Sequence, residues 1–230
     1  MARLQKILIP VMAFSIAIAL FSFSNTREKI SAGTPGVASP PFKIIMIKHA
    51  VADFDKWKAG YMAHDSVRKA YGITHFVIGR GLDDPNMVVI IDKIADVQKA
   101  KDFSMLPELK EAMQNAGVTS QPTFAYSNVI RNEDAKIEQK DRVMVAHHVK
   151  DFKTWLKGYD AEGKKKRMEN GLLDRGLAQG IDDPNMVYIV FAITDMAKAK
   201  ARINSDELKK LMTDAGVDGP PEIFFYKLVD

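Results

Sequence analysis

The chain has no cysteine. That absence excludes disulfides, thiolate metal sites, thiol nucleophiles and lipid attachment at a leader cysteine, so packing must hold together whatever the sequence builds. A dominant charge is missing too. Without residues 1–24, which contain Arg3 and Lys6 but no acid, 31 basic side chains face 29 acidic ones. So even a balance argues against nucleic acid as a partner, and the Lys164-Lys165-Lys166-Arg167 run reads as a solvated helix face. There is no HExxH, no phosphate-cradling glycine loop and no Ser-His-Asp spacing, so neither a metal site nor a cofactor is expected. The Asp83-Asp84 and Asp182-Asp183 pairs each precede a proline and read as turn chemistry, not as acid dyads.

A long apolar run occurs once, at the start. Arg3 and Lys6 precede Ile7 to Phe23, and small residues surround Ser22 and Ser24. This is the three-part form of a secretory signal. Residues 1–24 are expected to be a signal peptide, with an uncleaved anchor as the alternative because the run is long enough to span a bilayer. Residues 25–41, rich in Ser, Gly, Pro and Ala, read as a flexible linker. The expectation is an exported protein, periplasmic or secreted, with no membrane partner once the leader is cut.

The remainder is an internal repeat. Asp53-Phe54, Trp57 and Gly60-Tyr61 recur as Asp151-Phe152, Trp155 and Gly158-Tyr159, and His49 recurs as His147. After a one-residue insertion, Asp83-Asp84-Pro85-Asn86-Met87-Val88 recurs unbroken as Asp182-Asp183-Pro184-Asn185-Met186-Val187, and Ala116-Gly117-Val118 as Ala215-Gly216-Val217. A repeat of this length is two copies of one supersecondary unit. In the first copy, Phe42 to His49 suits a buried strand, and Asp53 caps a helix running to Gly72. Ile73 to Gly79 and Met87 to Ile91 read as strands, Asp96 to Ala116 as a helix interrupted near Pro107, and Thr123 to Val129 as a last strand.

The fold class is therefore α+β: two tandem ferredoxin-like βαββαβ modules, 42–130 and 141–230, joined by a polar connector, 131–140. Each module carries both helices on one side of its sheet and leaves the other side bare. Packing the two bare sheet faces together gives an intramolecular α/β barrel with the helices outside. No second chain is needed to close it, and further oligomerisation is left open.

Trp57, Tyr61, His64 and Arg68 follow at helical spacing and share the stripe that faces the sheet. A histidine and an arginine on such a stripe need partners or water. They either border a polar pocket, with His64 exchanging a proton and Arg68 holding a carboxylate or enolate oxygen, or snorkel to the helix edge and close the barrel. The second copy has Trp155 and Tyr159 but Glu162 in place of His64, and Lys166 or Arg167 near the place of Arg68. The aromatic pair thus reads as architecture, and a histidine-dependent site is expected in module 1. His49 and His147 lie just before a helix cap, where a local hydrogen bond to the turn is favoured over catalysis. His75 and Arg80 face Asp174 and Gln179 across the repeat, so any role is confined to module 1.

The run His49, Asp53-Phe54-Asp55, Trp57, Tyr61, His64, Arg68, Gly72, Asp83-Asp84-Pro85-Asn86 and Pro107-Glu108-Leu109-Lys110 to Ala116-Gly117-Val118 resembles the dimeric α/β-barrel superfamily. More narrowly it is similar to antibiotic biosynthesis monooxygenase-like and cyclase-like small proteins, here as a tandem duplication. The resemblance covers His49 to about Tyr126 and, more loosely, His147 to Tyr226. It implies a cofactor-independent monooxygenase-like or isomerase-like enzyme acting on a small aromatic ligand in the module 1 cleft. In that reading His64 and Arg68 are catalytic, and Trp57, Tyr61, His49, His75 and Arg80 contact ligand. The alternatives are a module that binds a small ligand such as haem without turnover, and a structural protein.

Overall fold

Four aspartates set where the helices begin. Asp53, Asp96, Asp151 and Asp195 each sit in extended backbone and accept a hydrogen bond from the amide three residues on, at 2.7, 2.8, 2.8 and 3.0 Å. Each thereby satisfies an amide that has no partner inside its helix. The computed structural model describes residues 41–229. The expected signal peptide, and all of the linker but residue 41, lie outside the described residues. Among the described residues no helix is long and apolar enough to cross a membrane.

Module 1 runs β1 (Phe42–Ala50), α1 (Phe54–Ala63), α2 (Asp65–Ala70), β2 (Ile73–Gly81), β3 (Met87–Ile94), α3 (Val97–Ser104), α4 (Pro107–Asn115) and β4 (Thr123–Asn132). Module 2 runs β5 (Asp141–Val149), α5 (Phe152–Glu169), β6 (Leu172–Gly180), β7 (Met186–Ile193), α6 (Met196–Ile203), α7 (Asp206–Asp214) and β8 (Val217–Val229). All the strand pairs are antiparallel, and the order β1-β3-β2-β8-β5-β7-β6-β4 closes on itself. The modules are stitched at two seams. At one, Ile78 to Gly81 of β2 pair with Val229 to Tyr226 of β8; at the other, Ser127 to Asn132 of β4 pair with Gly180 to Gly176 of β6. Closure removes the exposed edges that an isolated four-stranded sheet would present.

Side-chain alternation then divides the core into three. Ile45, Ile47, Val88, Ile90 and Ile94 face the module 1 helices with Trp57 and Phe103. Val143, Val187, Ile189 and Phe191 do the same beneath Trp155 in module 2. Ile44, Met46, Val89, Ile91, Met144 and Tyr226 point the other way, into the barrel. This is the period-2 consequence of burying both faces of every strand.

Two boundaries differ from the sequence reading. Arg131 and Asn132, expected in the connector, continue β4 and pair with Leu177 and Gly176. Arg131 is anchored there by a two-pronged pairing with Asp160, at 2.5 and 2.9 Å. The first helix of module 1 breaks at His64 (φ −86°, ψ 10°) into α1 and α2. In module 2 the break falls on Gly163, at φ 78° and ψ 151°, a backbone conformation open essentially to glycine alone. Gly163 is the inserted residue of the repeat.

Candidate functional site

Each module has a cleft between its helices and its sheet, and the two have diverged in size. In module 1, Trp57 stacks on Tyr61 with ring centroids 5.6 Å apart. His64 and Tyr71 pack against Phe103, at 6.5 and 5.7 Å. Phe103 is buried and occupies the space beneath His64. What remains is a cavity of about 50 Å³ bordered by His49, Trp57, Tyr61, His64 and Arg68. Ligand pockets usually offer about 300–1,000 Å³.

Module 2 keeps the stacked pair, Trp155 on Tyr159 at 5.2 Å. The repeat places Arg202 where module 1 has Phe103 and Glu162 where it has His64. Arg202 Nη2 donates to Glu162 Oε1 at 2.7 Å, and Arg202 Nη1 lies 3.0 Å from Glu207. An aromatic plug has thus become an ion pair, and the helix carries an extra residue at Gly163. The cleft here has a volume of about 440 Å³, bordered by His147, Trp155, Tyr159, Glu162, Arg167, Arg202 and apolar side chains including Leu172, Ile189, Phe191 and Leu208.

Arg68 is held by the fold. Its Nη1 donates to the Tyr61 carbonyl, its guanidinium lies 3.7 Å from the Tyr61 ring centroid, and its Nε is 4.0 Å from Asp92. Arg167 repeats the arrangement, donating to the Tyr159 carbonyl at 2.8 Å and to both oxygens of Asp174 at 2.8 Å. Arg167, not Lys166, is therefore the counterpart of Arg68. Each arginine thus donates to a main-chain carbonyl in the turn before the helix break. The carboxylate that balances each arrives from a different strand: Asp92 on β3 in module 1, Asp174 on β6 in module 2. Asp92 is 0% exposed and accepts from the Tyr61 hydroxyl at 2.9 Å. His75 Nδ1 lies 2.9 Å from that hydroxyl and 3.3 Å from Asp92. Burial first, then the Asp92 charge, pushes the Tyr61 phenol up, so it acts as a hydrogen-bond donor.

Arg80 and His75 do not border the module 1 cleft. Arg80 Nε donates to the Pro85 carbonyl at 2.6 Å, and Gln179 makes the same bond to Pro184 at 2.7 Å. Both side chains tie down a hairpin. The local hydrogen bond expected for His49 and His147 is absent: among the described residues neither ring nitrogen of either histidine has a partner. Alternation along β1 and β5 puts both rings on the helix-facing side, edge-on to Trp57 and Trp155 at 5.6 and 5.5 Å. Burial lowers both histidines to a pKa of about 4, so the imidazoles are neutral at pH 7. No cluster of His, Asp and Glu among the described residues is arranged to hold a metal ion.

No protein-family model and no curated protein matches this sequence, but solved structures share its architecture. An anthrone oxidase-like protein superposes with a TM-score of 0.55 at 13% identity, over 82% of this chain and 92% of its own. A provisionally assigned monooxygenase of Fusobacterium nucleatum gives 0.53 at 12% identity, over 83% and 93%. A second such protein, from Lactobacillus acidophilus, gives 0.51 at 14% identity, over 81% and 94%. The chain has the dimeric α/β-barrel fold.

In this α/β barrel the pairing that closes the sheet is made within one polypeptide. The two clefts are therefore free to differ, as two identical subunits are not. Sequence reasoning missed Asp92, Phe103, Arg202 and Gly163. Asp92 carried a signal, as a carboxylate directly following the apolar run Met87-Val88-Val89-Ile90-Ile91. Phe103 and Arg202 matter through the residues they meet across the cleft, which the sequence of α3 or α6 alone does not disclose.

Proposed function

We propose that the chain binds a flat, mainly apolar ligand bearing an oxygen function in the module 2 cleft. We propose further that it acts there as a cofactor-independent monooxygenase-like or isomerase-like enzyme, with His147 exchanging a proton with the ligand. One observation supports this above others: a cavity of about 440 Å³ bordered by a histidine that is 4% exposed and has no hydrogen-bond partner. The stacked Trp155 and Tyr159 rings suit a planar apolar body. Arg202 Nε is likewise buried without an acceptor and can donate to a ligand oxygen on which charge develops. A neutral imidazole is the form that takes up a proton, and an anion forming beside it raises its pKa toward neutrality.

The site expected in module 1, around His64 and Arg68, has about 50 Å³ and an arginine committed to the helix break. In this proposal module 1 is the filled twin of the working cleft. Sequestration without turnover is the second reading, favoured by the Glu162–Arg202 and Arg167–Asp174 pairs, which already neutralise the charges a reaction would draw on. The leader motif supports placing the protein outside the cytoplasm, and a mature N-terminus at Asn25 is the expected readout.

The test is a panel of anthrone-type, phenolic and quinone ligands screened by thermal shift, followed by product analysis and dissolved-oxygen consumption for each binder. His147→Ala is expected to keep binding within about threefold and to lose turnover. Haem, followed by its Soret band, belongs in the panel. Binders returned unchanged by the wild-type protein would favour sequestration, and equal turnover by wild type and His147→Ala would end the enzyme reading.

A further inference from the structure

We infer that the barrel interior is a second binding site, separate from the helix-side clefts, and that it takes a small apolar monoanion such as a medium-chain carboxylate. A cavity of about 340 Å³ lies inside the barrel between the modules. That is roughly twice the ~150 Å³ that holds benzene in an engineered protein cavity. Ile44, Met46, Ile91, Val129 and Val190 wall it, and Arg142 and Arg175 reach it from β5 and β6.

The repeat shows that these two arginines are not demanded by the fold. Across the duplication Arg142 corresponds to Ile44 and Arg175 to Phe76, and both apolar counterparts border the same cavity. One half of the barrel lining is therefore apolar where the other carries two guanidinium groups. Arg142 is only 5% exposed. Its Nη1 donates to the carbonyls of Gln139 at 2.6 Å and Asp141 at 3.0 Å. Those dipoles orient the group without cancelling its charge.

Elsewhere in the chain buried arginines meet carboxylates: Arg167 meets Asp174, and Arg202 meets Glu162. Among the described residues Arg142 makes no such ion pair. Desolvation lowers its pKa and repulsion from Arg175 adds to the effect, outweighing the opposing pulls of Tyr226 and Asp141. Two like charges brought together at one end of an apolar cavity are costly until an anion joins them. The other charged groups on the cavity are Lys93, which lies over the Phe42 and Phe76 rings, and Glu133 and Asp134. Glu133 is paired with Lys164, and both acids interact with Arg175. The lining thus carries three cations against two carboxylates. A monoanion makes the charges equal, and its tail fits the apolar wall.

Calorimetry with decanoate, and with decanol as the uncharged match, tests the assignment on the whole protein. Decanoate is expected to bind at least tenfold more tightly than decanol. The Arg142→Ile, Arg175→Phe double variant, which gives the barrel the residues of its own repeat, is expected to bind decanoate at least tenfold more weakly. Its melting temperature is expected to be unchanged or higher, because apolar replacement of an uncompensated buried charge does not destabilise. Met212→Trp, which fills the module 2 cleft, is expected to leave decanoate binding intact. In wild-type crystals the bromine of 10-bromodecanoate is expected inside the barrel.

The inference is overturned by equal binding of decanol, by the absence of decanoate binding, or by undiminished binding to the double variant. It is equally overturned by a lowered melting temperature or failed folding of that variant, which would make the arginines structural. Bromine in the module 2 cleft, or loss of binding in Met212→Trp, would assign the anion to that cleft and leave the proposed function standing.

Discussion

Arg167 donates to the carbonyl of Tyr159 at 2.8 Å across the helix break at Gly163. The same guanidinium grips both oxygens of Asp174, so one side chain terminates a helix, neutralises a strand carboxylate and lies over an aromatic ring at 3.9 Å. Removing it takes the cation from both Asp174 oxygens, leaving that carboxylate the Tyr159 hydroxyl at 3.3 Å. Arg167→Met is expected to cost about 3–5 kcal/mol, the range for breaking one side of a buried pair, measured as the shift in urea-unfolding free energy. A loss under about 1 kcal/mol would show the network to be solvated.

The two modules solve the same charge problem with carboxylates on different strands. Module 1 has His75 and Asp92 where module 2 has Asp174 and Phe191. Asp92→Phe alone should destabilise strongly, because the carboxylate then left to Arg68 is the exposed Asp65 at 3.4 Å. Adding His75→Asp rebuilds the module 2 arrangement, and the double variant should recover at least half of the loss. Urea unfolding across the cycle reads this coupling directly; purely additive effects would contradict it.

Gly163 breaks α5 next to Glu162, which borders the module 2 cleft. Nothing lies within 4 Å of a Cβ built there, so Gly163→Ala is resisted by backbone conformation alone, at about 1–3 kcal/mol. Deleting Gly163 gives α5 the residue count of module 1. The deletion protein should stay folded by circular dichroism and bind cleft ligands at least tenfold more weakly. Retained affinity would leave the Phe103-to-Arg202 exchange as the sole cause of the cavity.

Stability should fall in mild acid. The folded-state pKa of His49 and His147 is about 4 against 6.5 in the unfolded chain. Below pH 6.5 the unfolded chain binds protons that the folded chain refuses. Stability is therefore full above about pH 6.5 and is lost progressively as pH falls toward 4, on the order of 3 kcal/mol for each histidine. Urea midpoints taken from pH 7 to 4.5 should show this slope, and a His49→Met, His147→Met double variant should flatten it.

The architecture was readable because the duplication repeats whole strings, such as Asp-Asp-Pro-Asn-Met-Val, and because a βαββαβ unit leaves one sheet face to be covered. The location of the cleft was not readable. The change from His64 to Glu162 suggested that module 2 had lost a site, yet its meaning depended on α3 and α6, where Phe103 gives way to Arg202. That one residue was inserted was seen, but neither its place at Gly163 nor its left-handed backbone was. His49 and His147 were assigned to the turn from their closeness to Asp53 and Asp151, although counting alternate residues from Ile45 and Val143 places both under the helices.

The chain has two tryptophans, and each stacks beside one cleft, which makes fluorescence the most direct test. With Trp57→Phe the signal comes from Trp155 alone, and a bound cleft ligand should quench or shift it saturably. With Trp155→Phe, Trp57 should report no change over the same titration. A response from Trp57 with silence from Trp155 would place the ligand in module 1 and contradict the account.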